Sequence, residues 1–229
     1  MKLSEPTVAI LKNFYSINNG LLFKVGNSLK TISPNKALYA EATIDESFPK
    51  EFAIYDLGKF LGLLSLYKDA ELDFTEQNLV LKSGRSTTRL RYADKSLIKT
   101  PPEGKSIKSA TFDVDLKLSQ VDLEWVERVG SILGCPYVVI NNVDGKIQVD
   151  AADIKGEIVD DSALVVGDSP ISTPFKFVLK VENLKLIPGD YDISISRRGI
   201  SRFTNKNVVY YVAVEQSSSH FGGADDSKE

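Results

Sequence analysis

The sequence predicts an α+β chain, antiparallel sheets with helices on one face, built from two similar halves. Short apolar or alternating segments bounded by Gly, Asn, Asp and Pro turns recur along all 229 residues, and only a few segments carry a helical period. The order of elements in the first half also returns in the second: a helix, a hairpin, a strand leading into a helix, then a hairpin and a closing strand. Residues 52–57 and 175–180 correspond in this repeat, although few residues are identical.

The first helix is expected over residues 5–18. Ser4 or Glu5 can cap it, Pro6 suits its first turn, and Gly20 stops it. Val8, Ile10, Leu11, Phe14, Tyr15 and Ile17 make one half of the cylinder, while Ala9, Lys12, Asn13 and Ser16 make the other. Strands are expected at 21–25, 28–32 and 38–44. Asp56 caps a second helix with Leu57, Phe60, Leu61, Leu64 and Tyr67 as its apolar stripe and Gly58, Lys59, Gly62 and Ser65 opposite. A hairpin over 71–82 and a strand at 88–92 close the first half.

Residues 93–107 have neither period and read as a linker, so domains of 1–107 and 108–216 are expected, with a flexible tail at 217–229. The second domain opens with a strand at 111–116 and a helix capped by Ser119 and Asp122. Val121, Trp125, Val126, Val129, Ile132 and Leu133 form that helix's apolar face, with Glu124, Glu127, Arg128 and Ser131 pointing away. A hairpin turning at Asp144-Gly145 follows, then a strand at 175–181, a short helix at 182–186, a Pro188-Gly189 turn, and strands at 191–196 and 208–215.

Composition excludes several function classes. No apolar run approaches the roughly 20 residues of a membrane helix, and the amino terminus lacks the apolar core of a secretory signal, so no membrane is expected. Cys135 is the sole cysteine, which rules out an intrachain disulfide or a cysteine cage for a metal, and no Asn-x-Ser/Thr sequon occurs. An intracellular, reducing compartment is expected. Nothing resembles a Walker loop, a dinucleotide fingerprint or a nucleophile elbow. The sole histidine, His220, falls in the expected tail beside Ser217, Ser218 and Ser219, where no nucleophile and base can be held in register. Asp113 with Asp115, and Asp190 with Asp192, read as solvent faces of strands. The chain is therefore expected to have no catalytic residue, metal or cofactor.

The net charge of −3 argues against an open basic groove for nucleic acid, so any DNA contact must come from charge arranged locally. The polar faces of the first two helices offer that arrangement. They are small or basic and carry no acid, and sequence-independent binding of a duplex needs only lysine and arginine facing its phosphates.

Met1-Lys2-Leu3-Ser4, Leu11-Lys12-Asn13-Phe14, Tyr39-Ala40-Glu41-Ala42 and Ala53-Ile54-Tyr55-Asp56-Leu57 resemble the sliding clamps of T-even-type bacteriophages. So do Phe60-Leu61-Gly62, Leu64-Ser65-Leu66, Asp161-Ser162-Ala163-Leu164, Asn183-Leu184-Lys185 with Pro188-Gly189, and Ser219-His220-Phe221. The matches run in order from Met1 to Phe221. The resemblance implies the DNA-clamp fold: a homotrimer with two similar domains per subunit, helices lining a ring and sheets outside. It also implies a non-enzymatic processivity factor that encircles double-stranded DNA in the cytoplasm of the infected bacterial host. An ATP-driven clamp loader opens and loads such a ring; it then holds the DNA polymerase and also serves late transcription factors.

By matching positions the resemblance makes Lys12, Arg128 and Lys185 candidates for the DNA-facing surface, and the helical wheel adds Lys59 and Lys68. Glu124, Glu127 and Ser131 depart from the family by making the third helix less basic. The closing strand also resembles that of eukaryotic and archaeal clamps, which implies that Tyr211 and Val214 line a pocket for a partner's peptide. Leu97 and Ile98 join them on composition, as apolar residues in a polar linker. Two other readings stay open: a single-stranded nucleic-acid binder, hinted at by Arg89-Leu90-Arg91-Tyr92, and a structural protein of the phage particle.

Overall fold

A computed structural model describes residues 1–67, 69–102, 111–156 and 160–222. The chain divides into two compact units, Met1–Gly104 and Lys105–Glu229.

In the first unit, α1 (Glu5–Ile17) starts where Ser4 accepts the Thr7 N–H, with Pro6 in its first turn. It is followed by β1 (Leu21–Phe23), β2 (Gly26–Ile32), β3 (Leu38–Phe48) and β4 (Phe52–Ile54). β2 pairs antiparallel with β3, and β1 with β4. α1 buries Ile10, Leu11, Phe14 and Ile17 and packs on β2 and β3. Next come α2 (Leu57–Leu66), capped by Asp56 through the Lys59 N–H at 2.9 Å, and the antiparallel meander β5 (Glu71–Phe74), β6 (Asn78–Ser83) and β7 (Ser86–Arg91). Met1 exchanges two hydrogen bonds with Leu72, covering the outer edge of β5. An aromatic cluster fills this core: Phe23 stacks on Phe52 at 4.5 Å, Phe48 meets Phe23 at 4.9 Å, and Tyr92 meets Phe52 at 5.1 Å. Such pairs add about 0.5–1.5 kcal/mol each beyond area burial.

Glu46, near the end of β3, fastens the start of α1. Its carboxylate accepts the Ser4 N–H and the Thr7 hydroxyl. Burial alone would raise its pKa, but these hydrogen bonds outweigh burial and hold it below the ordinary 4.5. A depressed carboxyl stabilises the fold above its unfolded-state pKa and loses that contribution as pH falls through the folded value. Glu46→Gln should therefore cost about 1 kcal/mol near neutral pH, after solvent screening. In thermal unfolding across pH, the gap between the two proteins should narrow as pH falls below 4.5; a constant gap would refute the charge's part.

The second unit opens with β8 (Val114–Leu118), shifted from the expected 111–116 because Val114, Leu116 and Leu118 are the inward residues. α3 (Gln120–Leu133) follows, with the Ser119/Asp122 capping box formed and Gly134 closing it at φ 69°. β9 (Tyr137–Val143) and β10 (Lys146–Ala152) form the expected hairpin. Asp144 at φ 50° and Gly145 at φ 74° give its turn the double positive φ of a type I′ turn. β11 (Asp161–Asp168), β12 (Phe175–Lys180), β13 (Tyr191–Ser196), β14 (Ile200–Thr204), β15 (Val208–Ala213) and β16 (His220–Phe221) complete the unit. One sheet runs β11-β10-β9-β12-β16; in the other, β15, β14, β13 and β8 are successive neighbours. Cys135 is buried beside the Asp160 carbonyl.

Three expectations need correction. α3 does not bury the face expected. Leu123, Val126 and Gly130 are its buried residues, while Val121 and Ile132 are 75% and 81% exposed and Trp125 is 38% exposed. Apolar residues circle this helix, and Gly130 selects the buried row: a Cβ there would lie 3.3 Å from that of Ala151, so only this side approaches the sheet closely.

The helix at 182–186 is a single 3-10 turn, Val181–Asn183. Pro188 disfavours helix in the residue before it, which leaves too little chain for a nucleus. Within the expected tail, the described residues 217–222 are structured. Ser219 Oγ accepts the Val178 N–H and donates to the Glu215 carbonyl, β16 pairs with β12, and Phe221 stacks on Phe177 at 6.3 Å. A two-residue strand shows no period, so composition alone suggested disorder. The rest of the tail, and the expected boundary at 107/108, lie outside the described residues.

Candidate nucleic-acid interface

α1 and α2 lie side by side in the first unit, and their closeness depends on Gly58. A Cβ at that position would stand 2.6 Å from Tyr15 Cζ, so the tyrosine ring lies directly over the glycine. Sequence periodicity put Tyr15 in the core; it is 44% exposed. Lys12 on α1 and Lys59 on α2 are both exposed, alongside Ala9, Ser16, Gly62 and Ser65. Apart from Glu5 in the first turn of α1, neither helix carries an acid, so the paired face is small and cationic. Such a face can meet a polyanion, with the exposed cap Asp56, which accepts the Lys59 N–H, as the acid at its edge.

The other candidates are placed differently. Arg128 is exposed on α3, but its guanidinium lies 3.4 Å from Glu124, which mutes its charge. Beside it, burial, with Glu124 adding to the effect, holds the Glu127 carboxyl above its ordinary pKa. Lys185 is exposed just past the 3-10 turn. Its segment is anchored at Ile187, whose N–H donates to Tyr210 Oη at 3.1 Å and whose carbonyl accepts the Tyr191 hydroxyl. Burial pushes both phenols up, Tyr191 to about 12, so both keep their protons. Lys68 lies outside the described residues.

Leu97 ends a 3-10 turn, Lys95–Leu97, and is 62% exposed. Ile98 is buried within the first unit, over Gly20, and Asn18 Nδ2 donates to the neighbouring Lys99 carbonyl at 3.0 Å. Tyr211 and Val214 are buried in the second unit, Tyr211 lying opposite Arg202 on β14. Among the described residues no cluster of three or more His, Cys, Asp or Glu side chains could hold a metal ion, and no helix is long and apolar enough to cross a membrane.

Residues 2–100 match the family described as DNA polymerase processivity factor, and residues 114–216 match the carboxy-terminal domain of the gp45 sliding clamp family. The chain is 36% identical over 224 residues to the sliding clamp of Vibrio phage KVP40, covering 94% of this chain and 99% of that protein. This chain belongs to the sliding clamp family. The sliding clamp of Escherichia phage RB69 is similar to the same degree, 36% over 228 residues, covering 96% of this clamp and 99% of its relative.

Solved structures share the clamp fold across far greater sequence distance. The A. fulgidus PCNA bound to the C-terminal region of FEN-1 superposes with a TM-score of 0.68 at 11% identity, covering 93% of this clamp and 96% of that chain. The DNA polymerase III beta chain of Streptococcus pneumoniae gives 0.67 at 13% identity, covering 93% of this clamp and 63% of that chain.

The exposed row Val121, Trp125 and Ile132 on α3 is a feature the sequence reading assigned to core. The signal for it was a surplus: α3 carries more apolar residues than one buried face can hold.

Proposed function

We propose that this clamp is one subunit of a homotrimeric ring that encircles double-stranded DNA and tethers the DNA polymerase to its template. The observation that carries this is the similarity to phage sliding clamps along 94% of the chain. The task requires no chemistry of the clamp itself. An ATP-driven clamp loader would open and place the ring, late transcription factors would share it, and the host cytoplasm is where it would work.

Charge supports retention by enclosure. With a net charge of −3 the protein cannot grip DNA strongly, but Lys12 and Lys59, with Lys68, Arg128 and Lys185, can make a few salt-sensitive phosphate contacts that suit sliding. Head-to-tail closure needs two different complementary edges on each subunit. β7, the free edge of its meander, exposes Arg89 and Arg91 with Arg85 just before it. β11, the free edge of its sheet, exposes Ala163, Val165 and Gly167 between Asp160 and Asp168, with no lysine or proline to block pairing. We read β7 of one copy and β11 of the next as the seam, with Val121, Trp125 and Ile132 covered by the neighbour. The PCNA with the C-terminal region of FEN-1 offers a precedent for peptide docking. Leu97, exposed by its turn, is available to a partner's apolar tail; Ile98, Tyr211 and Val214, proposed to serve the same tail, are buried in the free chain.

Loaded clamp should remain on closed circular DNA and leave when the circle is cut to a linear molecule with open ends. Equal retention on both forms would overturn the enclosure mechanism. Against single-strand binding, the Tyr92 ring packs on Phe52 and is engaged in the core.

A further inference from the structure

An apolar cavity of about 220 Å³ lies beneath α3, between that helix and both sheets of the second unit. Leu123 and Val126 form its roof, and Leu179, Ile193 and Phe203 contribute to its walls. Glu127 is the one ionisable side chain in the lining. Water is a poor occupant, because a buried water needs two to four polar partners. An engineered cavity of about 150 Å³ with a comparable aliphatic and aromatic lining stays dry and binds benzene. This one is larger, and the half-solvated Glu127 is among the residues that line it.

We infer that the cavity is a binding site for a compact aromatic molecule of one or two fused rings bearing a single N–H or O–H donor. The rings fill the space between Leu123, Leu179, Ile193 and Phe203, and the donor meets the Glu127 carboxyl. A ligand bearing its own carboxylate is disfavoured by like charge at Glu127. The site requires neither DNA nor ring closure, so it stands or falls apart from the clamp function.

The test uses indole on the full chain, with methyl NMR signals of Leu123, Leu179 and Ile193 as the readout. These signals should shift saturably while those of Ile10 and Leu11 on α1 stay fixed. Indole-3-carboxylate should bind more weakly than indole. Glu127→Leu, which removes the acceptor at an exposed position, should weaken indole about tenfold, the size of one lost charge-assisted hydrogen bond. Val149→Phe, which fills the cavity from β10, should abolish the shifts; if that chain fails to fold, Val149→Leu should reduce them. Absence of saturable shifts, shifts of equal size on α1, or undiminished binding in the filled variant would overturn the assignment.

Discussion

A clamp carrying Arg89→Glu and Arg91→Glu should sediment as a folded 25.3 kDa monomer in place of the proposed trimer. Both side chains are exposed on β7, so their reversal leaves the core of the first unit untouched. In the proposed ring they face β11, which Asp160 precedes and Asp168 ends. Reversal sets acid against acid along the seam, and each such juxtaposition costs on the order of several kcal/mol. A heterologous interface broken once per subunit is broken everywhere in the ring, so loading onto DNA should vanish with the trimer. Circular dichroism should stay that of the parent chain. A variant that keeps the trimer mass at micromolar concentration would place the seam elsewhere.

The second large effect concerns the inner surface. Lys12→Glu combined with Lys185→Glu should leave the trimer intact and cut stimulation of polymerase on primed circular DNA by at least about tenfold. Each lost phosphate contact should also lower the salt slope of DNA association by about 0.9. Both side chains are exposed, and the symmetric ring would multiply the change threefold. Unchanged stimulation at moderate salt would remove these two lysines from the DNA path.

Much of this fold was legible in the sequence because the signals were local and chemically specific. Asp56 and Ser119 were recognisable caps, Asp144-Gly145 a recognisable turn, and β13 an alternating strand whose bounds the structure keeps. Failures arose where tertiary context chose between equivalent local options. Nothing in α3 alone says whether Val121 or Leu123 faces the sheet; that depends on Gly130 meeting Ala151. Tyr15 has a core-like position on the helical wheel, yet its ring lies over Gly58 on another helix and stays 44% exposed. The lysines were readable as charges, but their setting was not: Lys12 and Lys59 flank a carboxylate-poor face, whereas Arg128 lies against Glu124. The arginines of β7 could be seen in the sequence, but their place on a free edge depends on which strands pair.

The solitary thiol makes the clamp convenient for site-directed cross-linking. Cys135 is buried next to the Asp160 carbonyl and should be slow to react with alkylating or oxidising reagents in the native protein. A cysteine introduced at Thr87 on β7 and another at Val165 on β11, both exposed positions, would then be the reactive pair in an otherwise silent background. Mild oxidation of assembled protein should give covalent dimers and trimers on a denaturing gel without first removing the native cysteine. A ring sealed at all three joints would be a catenane when formed around circular DNA, inseparable from it even after complete denaturation.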